Sequence, residues 1–255
     1  MKICVLASGS EGNVTYVETK NHKILIDVGT NLKYISTKLS ELNVAPSDID
    51  YILISHTHDD HIKALKTFLK KNHPQICLTF SMLNDLIDLK DYERLIIFND
   101  DINLDDCTIK SIKTSHDTND SRGFIITENN KSVVYLTDTG YLNHKYFQYL
   151  SNKEVYLIES NHDIEMLING PYPKWLKTRV VGPYGHLSNQ DSAIYMSKLI
   201  GPNTKEILLM HLSHKNNTEE LALNTINQVF SNNSIEFNNI KCARQKEKSE
   251  VIEIW

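Results

Sequence analysis

Apolar residues alternate with polar ones, or run together as short β-branched stretches, at "KICVLA", "VTYVET", "HKILIDVG", "YILIS", "QICLTF", "RLIIF", "TIKSIKT", "FIITE", "SVVYLT", "VYLIES", "EILLMH", "IEFNNIKCA" and "EVIEIW". This period of two predicts a strand-rich chain. Helical spacing appears between some of the runs: Ile35, Leu39 and Leu42 before the break at Pro46, then Ile62, Leu65, Phe68 and Leu69. A third helix is predicted from Ser188, with Asp191 three positions on as a capping box, to the stop at Gly201 and Pro202. A fourth starts near Asn217, with Glu220 in the same relation, and carries Leu221, Ile226, Val229 and Phe230. Strands in runs with helices interspersed predict two sheets packed face to face with helices outside. No repeat, low-complexity tract or linker divides residues 1–255, so a single domain is expected. Residues 162–185, around "LINGPYPKWLKTRVVGPYG", read as an irregular excursion with helical pieces, of the kind that serves as a lid or substrate-binding loop.

Composition narrows this picture. Hydrophobic residues make up 40% and charged residues 23% of the 255 positions, ordinary for a globular protein. A net charge of -5 argues against wholesale electrostatic adhesion to nucleic acid or to an anionic membrane, so any nucleic-acid contact must be local. Cys4, Cys77, Cys107 and Cys242 are far apart and mostly within apolar runs, which suits buried thiols in a reducing compartment. The apolar run in "MKICVLASGS" is too short for a secretion signal, and no stretch approaches bilayer-spanning length; a cytoplasmic protein without a membrane partner is expected.

Chemistry concentrates in "SHTHDDH". His56, His58, Asp60 and His61 follow an apolar strand directly, where extended backbone gives way to a helix. Imidazoles and carboxylates together suit zinc, manganese or iron, and two neighbouring pairs supply half the ligands for two ions. The alternative is a surface turn with chance histidines, in which Asp59 or Asp60 caps the helix. Other strand ends offer further ligands: His116 after "TIKSIKTS", Asp138 after "SVVYLT" and His211 after "EILLM". A carboxylate such as Asp138 can bridge two cations, the geometry of two-metal hydrolysis.

With "HTHDDH", "SHD", "TDTG" and "HLSHKNN" in that order, the chain resembles the metallo-β-lactamase superfamily. The resemblance implies an α/β fold, a four-layer αββα sandwich, with two divalent metal ions at the mouth between the sheets. It implies that His56, His58 and His116 hold one ion and Asp60, His61 and His211 the other, that Asp138 bridges them, and that a shared hydroxide is the nucleophile. "ASGSEGN", "ESNHDIEML", "GPYPKWLKTRVVGPYGHLSNQ" and "HLSHKNNTEELA" further resemble the YycJ/WalJ family. That likeness implies a phosphodiesterase acting on nucleic acid, DNA before RNA, as an exonuclease from the 5′ end.

Glu159 in "LIES" and His186 in "GHLSN" resemble the Glu and His with which tRNase Z relatives protonate a leaving oxygen, and with Asp60 they complete the expected catalytic groups. A histidine merely placed at a helix start is the alternative for His186. The segment "PYPKWLKTR" interleaves Tyr172, Lys174, Trp175, Lys177 and Arg179, with Tyr184 just beyond, as a groove that meets phosphates and stacks bases would. The alternative is a packed lid with Trp175 in its core. Ser8, Ser10 and Asn13 fit a glycine-rich turn better than a phosphate site. His22, His73 and His144 read as surface residues, His162 and His214 as neighbours of the cleft, and Asp59 as the carboxylate that fixes an imidazole tautomer. A lactamase or glyoxalase activity leaves Glu159 and His186 unexplained, and the interval from Asp138 to His211 is too short for an inserted nuclease domain. The competing activities are a cyclic-nucleotide phosphodiesterase of the anti-Pycsar type and a metal-free binding protein on the same fold. Zinc and manganese both suit the ligands, and an oligomer is compatible with everything above.

Overall fold

The computed structural model describes residues 1–255. Strands β1 (Lys2–Ala7), β2 (Val14–Glu18), β3 (Lys23–Ile26), β4 (Tyr51–Leu53), β5 (Gln75–Leu78) and β6 (Leu95–Ile97) lie side by side in that order. The second sheet is built from β7 (Ile102–Asn103), β8 (Thr108–Lys113), β9 (Arg122–Glu128), β10 (Lys131–Leu136), β11 (Val155–Glu159), β12 (Glu206–Met210) and β13 (Ile240–Cys242), also in sequence order. The last strand, β14 (Ile252–Glu253), returns to pair antiparallel with β1. Each sheet combines antiparallel hairpins (β1–β3, β7–β10) with parallel strands (β3–β6, β10–β13).

Alternation explains why the strands read as continuous apolar runs. In β1, Ile3 and Val5 enter the core between the sheets while Cys4 and Leu6 enter the layer outside. In β10, Val133 and Tyr135 face inward, Val134 and Leu136 outward. Strands covered on both faces have no polar side to show. The outer layers are α1 (Leu32–Ser40), α2 (Asp59–Ile62), α3 (Leu65–Leu69) and α4 (Phe80–Asp85) on the first sheet, and on the second α5 (Phe147–Leu150), α8 (Asn189–Leu199) and α9 (Glu219–Asn232), while α6 (Ile164–Asn169) and α7 (Lys174–Val181) form the excursion between β11 and α8. The architecture is therefore the expected αββα sandwich. All four cysteines are free thiols, and no helix is long and apolar enough to cross a membrane.

Three local expectations differ from the structure. The helical pattern after the histidines breaks into α2 and α3, because the Ala64 amide bonds to the Val28 carbonyl. The cap of α9 is Thr218, whose side chain accepts from the Leu221 amide, and not Asn217, which is buried against Asn189 and the carbonyls of Ser160 and Asn161. In "IEFNNIKCA" only Ile240–Cys242 forms a strand. Residues 162–185 contain α6, capped by Asp163, and α7.

Candidate metal centre

The carboxyl ends of the strands from both sheets meet at one edge, where ligands of open α/β sheets gather. Asp27 follows β3, Ser55 and His56 follow β4, His116 follows β8 and Asp138 follows β10. Glu159 ends β11 and His211 follows β12. Asp27, Asp138 and His211 each take left-handed backbone, with φ of 61°, 54° and 57°, a conformation costing about 1 kcal/mol or more that clusters at functional sites. Their side chains are turned off the strand axis into the shared edge.

The ligand atoms stand at the spacing of groups around a common cation. His116 Nε2 and His58 Nδ1 are 3.2 Å apart, and His56 belongs to the same group. On the other side His61 Nε2 and His211 Nε2 each lie 3.6 Å from Asp60 Oδ2. Asp138 lies between, with Oδ2 3.1 Å from His61 Nε2 and Oδ1 3.7 Å from His116 Nε2. Tetrahedral ligands about 2.0–2.1 Å from zinc are themselves about 3.3 Å apart, so these separations need little adjustment. His56 Nε2, Asp138 Oδ2 and His211 Nε2 are buried with no hydrogen-bond partner, an expensive arrangement unless something else binds them. The residues present fit divalent cations.

Four of the five imidazoles, all but His58, are turned by a partner on the other nitrogen. His61 Nδ1 faces Asp27 Oδ2 at 2.7 Å, His211 Nδ1 faces Glu159 Oε1 at 3.0 Å, His116 Nδ1 faces the Gly185 carbonyl at 3.2 Å and His56 Nδ1 faces Ser55 Oγ at 3.1 Å. Such partners fix the tautomer and point the remaining lone pair at the metal. Asp27 was not anticipated as one of them. Asp59, expected to serve this purpose, is exposed in the first turn of α2, and its place is taken by Asp27, which also accepts from the Ser55 amide and hydroxyl and from Tyr135. Its one sequence signal is an aspartate after the buried run "KILI", the strand-end position that singled out Asp138.

Electrostatics follow from burial. Burial pushes His56 well below and His116 below the usual histidine range, leaving both neutral. Burial also opposes charge on His61 and His211, but the carboxylates win. Asp27 and Asp138 raise His61 to about 10, and Asp138, Asp60 and Glu159 raise His211. Burial likewise disfavours charge on Asp138, yet His211 and His61 hold it well below the carboxylate range. In the metal-free chain, protons on two imidazoles thus supply the positive charge that the carboxylates demand.

Beside this cluster His186 donates from Nδ1 to Glu159 Oε1, 2.7 Å away. Glu159 is fully buried, and its Oε2 accepts from the Thr139 and Leu187 amides. Burial resists its charge, but His186 and His211 bring it down to about 2. The turn "SGSEGN" buttresses the centre: Ser8 Oγ accepts from the His211 amide, and Asn13 contacts Asp60 and His61. Ser8 and Asn13 are buried, whereas Ser10 is exposed and lines the cleft. Gly29 is required here, since a Cβ would lie 1.6 Å from the Asp60 carbonyl oxygen.

A cavity of about 240 Å³ opens over the cluster, walled by Tyr172, Leu176, Arg179, Val180 and Tyr184. Arg179 pairs with Asp117 at 2.5 Å. Lys174, Trp175 and Lys177 lie outside its lining; Trp175 is 67% exposed and so is not a core residue, and Lys177 donates to the Ile168 carbonyl. His162 is buried behind the cleft and pushed down to about 4 by burial, and His214 is exposed. The molecule's 860 Å³ concavity between α3 and residues 88–94 contains none of the cluster.

Residues 8–78 match the family model of the metallo-β-lactamase superfamily. The chain is 38% identical over 236 residues to the exodeoxyribonuclease WalJ of Streptococcus pneumoniae serotype 2, covering 89% of this chain and 88% of that one. It is 36% identical over 232 residues to the exodeoxyribonuclease YycJ of Bacillus anthracis, with coverages of 88% and 87%. The metallo-β-lactamase fold protein YhfI from Bacillus subtilis superposes with a TM-score of 0.75 over 98% of this chain and 99% of that one, at 18% identity, a likeness of fold.

Proposed function

The chain belongs to the WalJ/YycJ family of the metallo-β-lactamase superfamily and is a metal-dependent hydrolase, and from that premise we propose that it is a DNA exonuclease acting from the 5′ end, with two divalent cations held on either side of Asp138. The observation that supports this reading is a row of three cavities that share lining residues on either side of the cluster. The 240 Å³ cavity shares His116 and Tyr184 with a neighbour of 330 Å³ on one side, and Ser10 and Asp60 with one of 730 Å³ on the other. A strand can cross the cluster along such a path, whereas a cyclic mononucleotide suits an enclosed pocket.

His56, His58 and His116 would hold one ion and Asp60, His61 and His211 the other, a histidine-rich donor set that suits zinc and also accepts manganese. When bound, the ions supply Lewis-acid charge at phosphorus and a water acidic enough to attack at neutral pH. His186 supplies the proton for the leaving oxygen. With Nδ1 held by Glu159, Nε2 is the nitrogen left to face the substrate. Glu159 touches no substrate and acts as a positioning residue for His186 and His211 together. Water gives up a proton to solvent and its oxygen bonds to phosphorus as the P–O3′ bond breaks; the departing O3′ takes the proton of His186, which solvent restores, and the remaining strand keeps a 5′-phosphate.

The test is a substrate panel: metal-loaded protein offered end-labelled DNA, RNA and cyclic nucleotides side by side. Mononucleotides released from DNA 5′ ends, faster than from RNA, support the reading. Ring opening of a cyclic nucleotide with DNA intact replaces it with a cyclic-nucleotide phosphodiesterase, and a purified chain that binds no metal and turns over nothing replaces it with a binding protein.

A further inference from the structure

We propose that the 330 Å³ cavity beside the metal centre seats the 5′-terminal nucleotide, with Lys113 and Lys145 on its 5′-phosphate and Tyr141 and Tyr184 against its base. The inference rests on the exonuclease reading and adds what that reading leaves open: which end chemistry is read and how many nucleotides leave per cycle.

Position comes first. The cavity adjoins the cluster through His116 and Tyr184, and the His116 ring meets the His186 ring edge-on at 5.1 Å between centroids. His186 itself walls the 240 Å³ cavity, and its ring is 5.3 Å from that of His211, so a nucleotide on either flank can reach it and the choice between the flanking cavities falls to charge. The 730 Å³ cavity on the Asp60 side carries Glu11, Asp59 and Asp60 against Lys63 and Lys246, with Lys246 paired to Glu11 at 2.9 Å; it is the poorer seat for a terminal phosphate and is left for the strand that stays.

Charge comes second. Asp120, the acidic residue lining the cavity, is already bound by Arg122 through Nε at 3.2 Å and Nη2 at 3.0 Å. Lys113 approaches it only to 3.9 Å, and Lys145 stands over the Tyr146 ring at 4.8 Å. Both lysines are exposed, and together they leave an excess of positive charge in a chain whose net charge is negative. A nucleotide departing through O3′ carries its other phosphate at the 5′ position, which is the anion this wall can meet.

Shape comes third. Tyr141 and Tyr184 line the cavity with 44% and 62% of their surface exposed, offering faces on which any base can stack. Their segments are knitted together: Ser115 Oγ donates to the Pro183 carbonyl at 2.8 Å, the Gly140 amide donates to the Ser115 carbonyl at 2.9 Å, and a Cβ on Gly140 would lie 2.4 Å from the Pro183 oxygen. The volume is at the small end of ligand pockets, about 300–1,000 Å³, and suits one nucleotide.

The experiment pairs binding with turnover. Chelator-treated protein is titrated with fluorescent single-stranded DNA bearing a 5′-phosphate or a 5′-hydroxyl, and metal-loaded protein is assayed for kcat/KM and product length on both. The wild type should favour the 5′-phosphate about tenfold, the factor of one charge-assisted hydrogen bond, and release single nucleotides. In the Lys113→Ala/Lys145→Ala variant the ratio should fall to about one, within a folded chain because both side chains are exposed. DNA degraded from 5′ ends without regard to the terminal phosphate, a preference that survives in the double variant, or dinucleotide products would each overturn the assignment while leaving the exonuclease intact. No DNA hydrolysis at all by the wild type would overturn both.

Discussion

Asp27→Asn changes charge with almost no change of shape, and the surrounding contacts determine what should follow. The Asp27 carboxylate accepts from the Ser55 amide, the Ser55 and Tyr135 hydroxyls and His61 Nδ1. An asparagine keeps one acceptor oxygen and presents an N–H donor where the other stood. His61 avoids opposing donors by moving its proton to Nε2, the nitrogen that faces Asp138 at 3.1 Å and Asp60 at 3.6 Å. Its lone pair is then turned away from the cation site. Losing an orienting partner of this kind lowers metal affinity about 10–100-fold, or about 1.4–2.7 kcal/mol. A second consequence appears without metal. His61 is raised from 6.5 to about 10, burial being outweighed by Asp27 and Asp138. Its stabilisation is therefore complete below pH 6.5 and fades as pH rises toward 10; the interval corresponds to roughly 5 kcal/mol, of which Asp27 supplies a large share. Metal-free Asp27→Asn should melt well below the wild type at pH 6, and the gap should narrow toward pH 10. Competition against a chelating dye reads the affinity, and thermal unfolding in chelator reads the rest. A variant that binds metal with wild-type affinity, or a difference in Tm indifferent to pH, refutes the assignment of Asp27.

As the proposed proton donor, His186 replaced by alanine (His186→Ala) should leave metal content unchanged and cut turnover by about 10²–10⁴, read by elemental analysis beside a nuclease assay; full activity would sink its role as acid. Glu159→Gln should differ from it by weakening metal binding as well, since Glu159 orients His211 too. Because Glu159 is held at about 2, against an ordinary 4.5, its stabilisation is present above pH 4.5 and lost as pH falls through 2, so acid unfolding of the variant should begin at higher pH. Gly29→Ala must displace the Asp60 carbonyl, and should lower occupancy of the Asp60, His61 and His211 group more than that of the His56, His58 and His116 group. Equal loss at both, measured by metal titration, would contradict that division.

Much of the site was legible because its residues announce themselves locally. His56, His58, Asp60 and His61 sit within six positions, and His116, Asp138 and His211 each stand just past a strand whose apolar run is plain. The two-sheet arrangement was legible for the same reason, since strands buried on both faces carry no polar positions. Asp27 was harder, because its partner His61 is 34 positions away and a single aspartate after a strand has no spacing to recognise. The break between α2 and α3 depends on a carbonyl of Val28, which no pattern of side chains reveals. Lys113 and Lys145, from the end of β8 and the 3₁₀ turn His144–Tyr146, likewise become neighbours only when β8, β9 and β10 pair.

The most direct test of the account is stepwise reconstitution: metal-stripped protein receives manganese or zinc in fractions of an equivalent while bound metal and DNA hydrolysis are measured together. Activity that rises to completion as a second ion per chain binds, and that is abolished in Asp60→Ala, is the predicted result. Full activity with one ion, or with none, would contradict a centre built by two sets of ligands around Asp138.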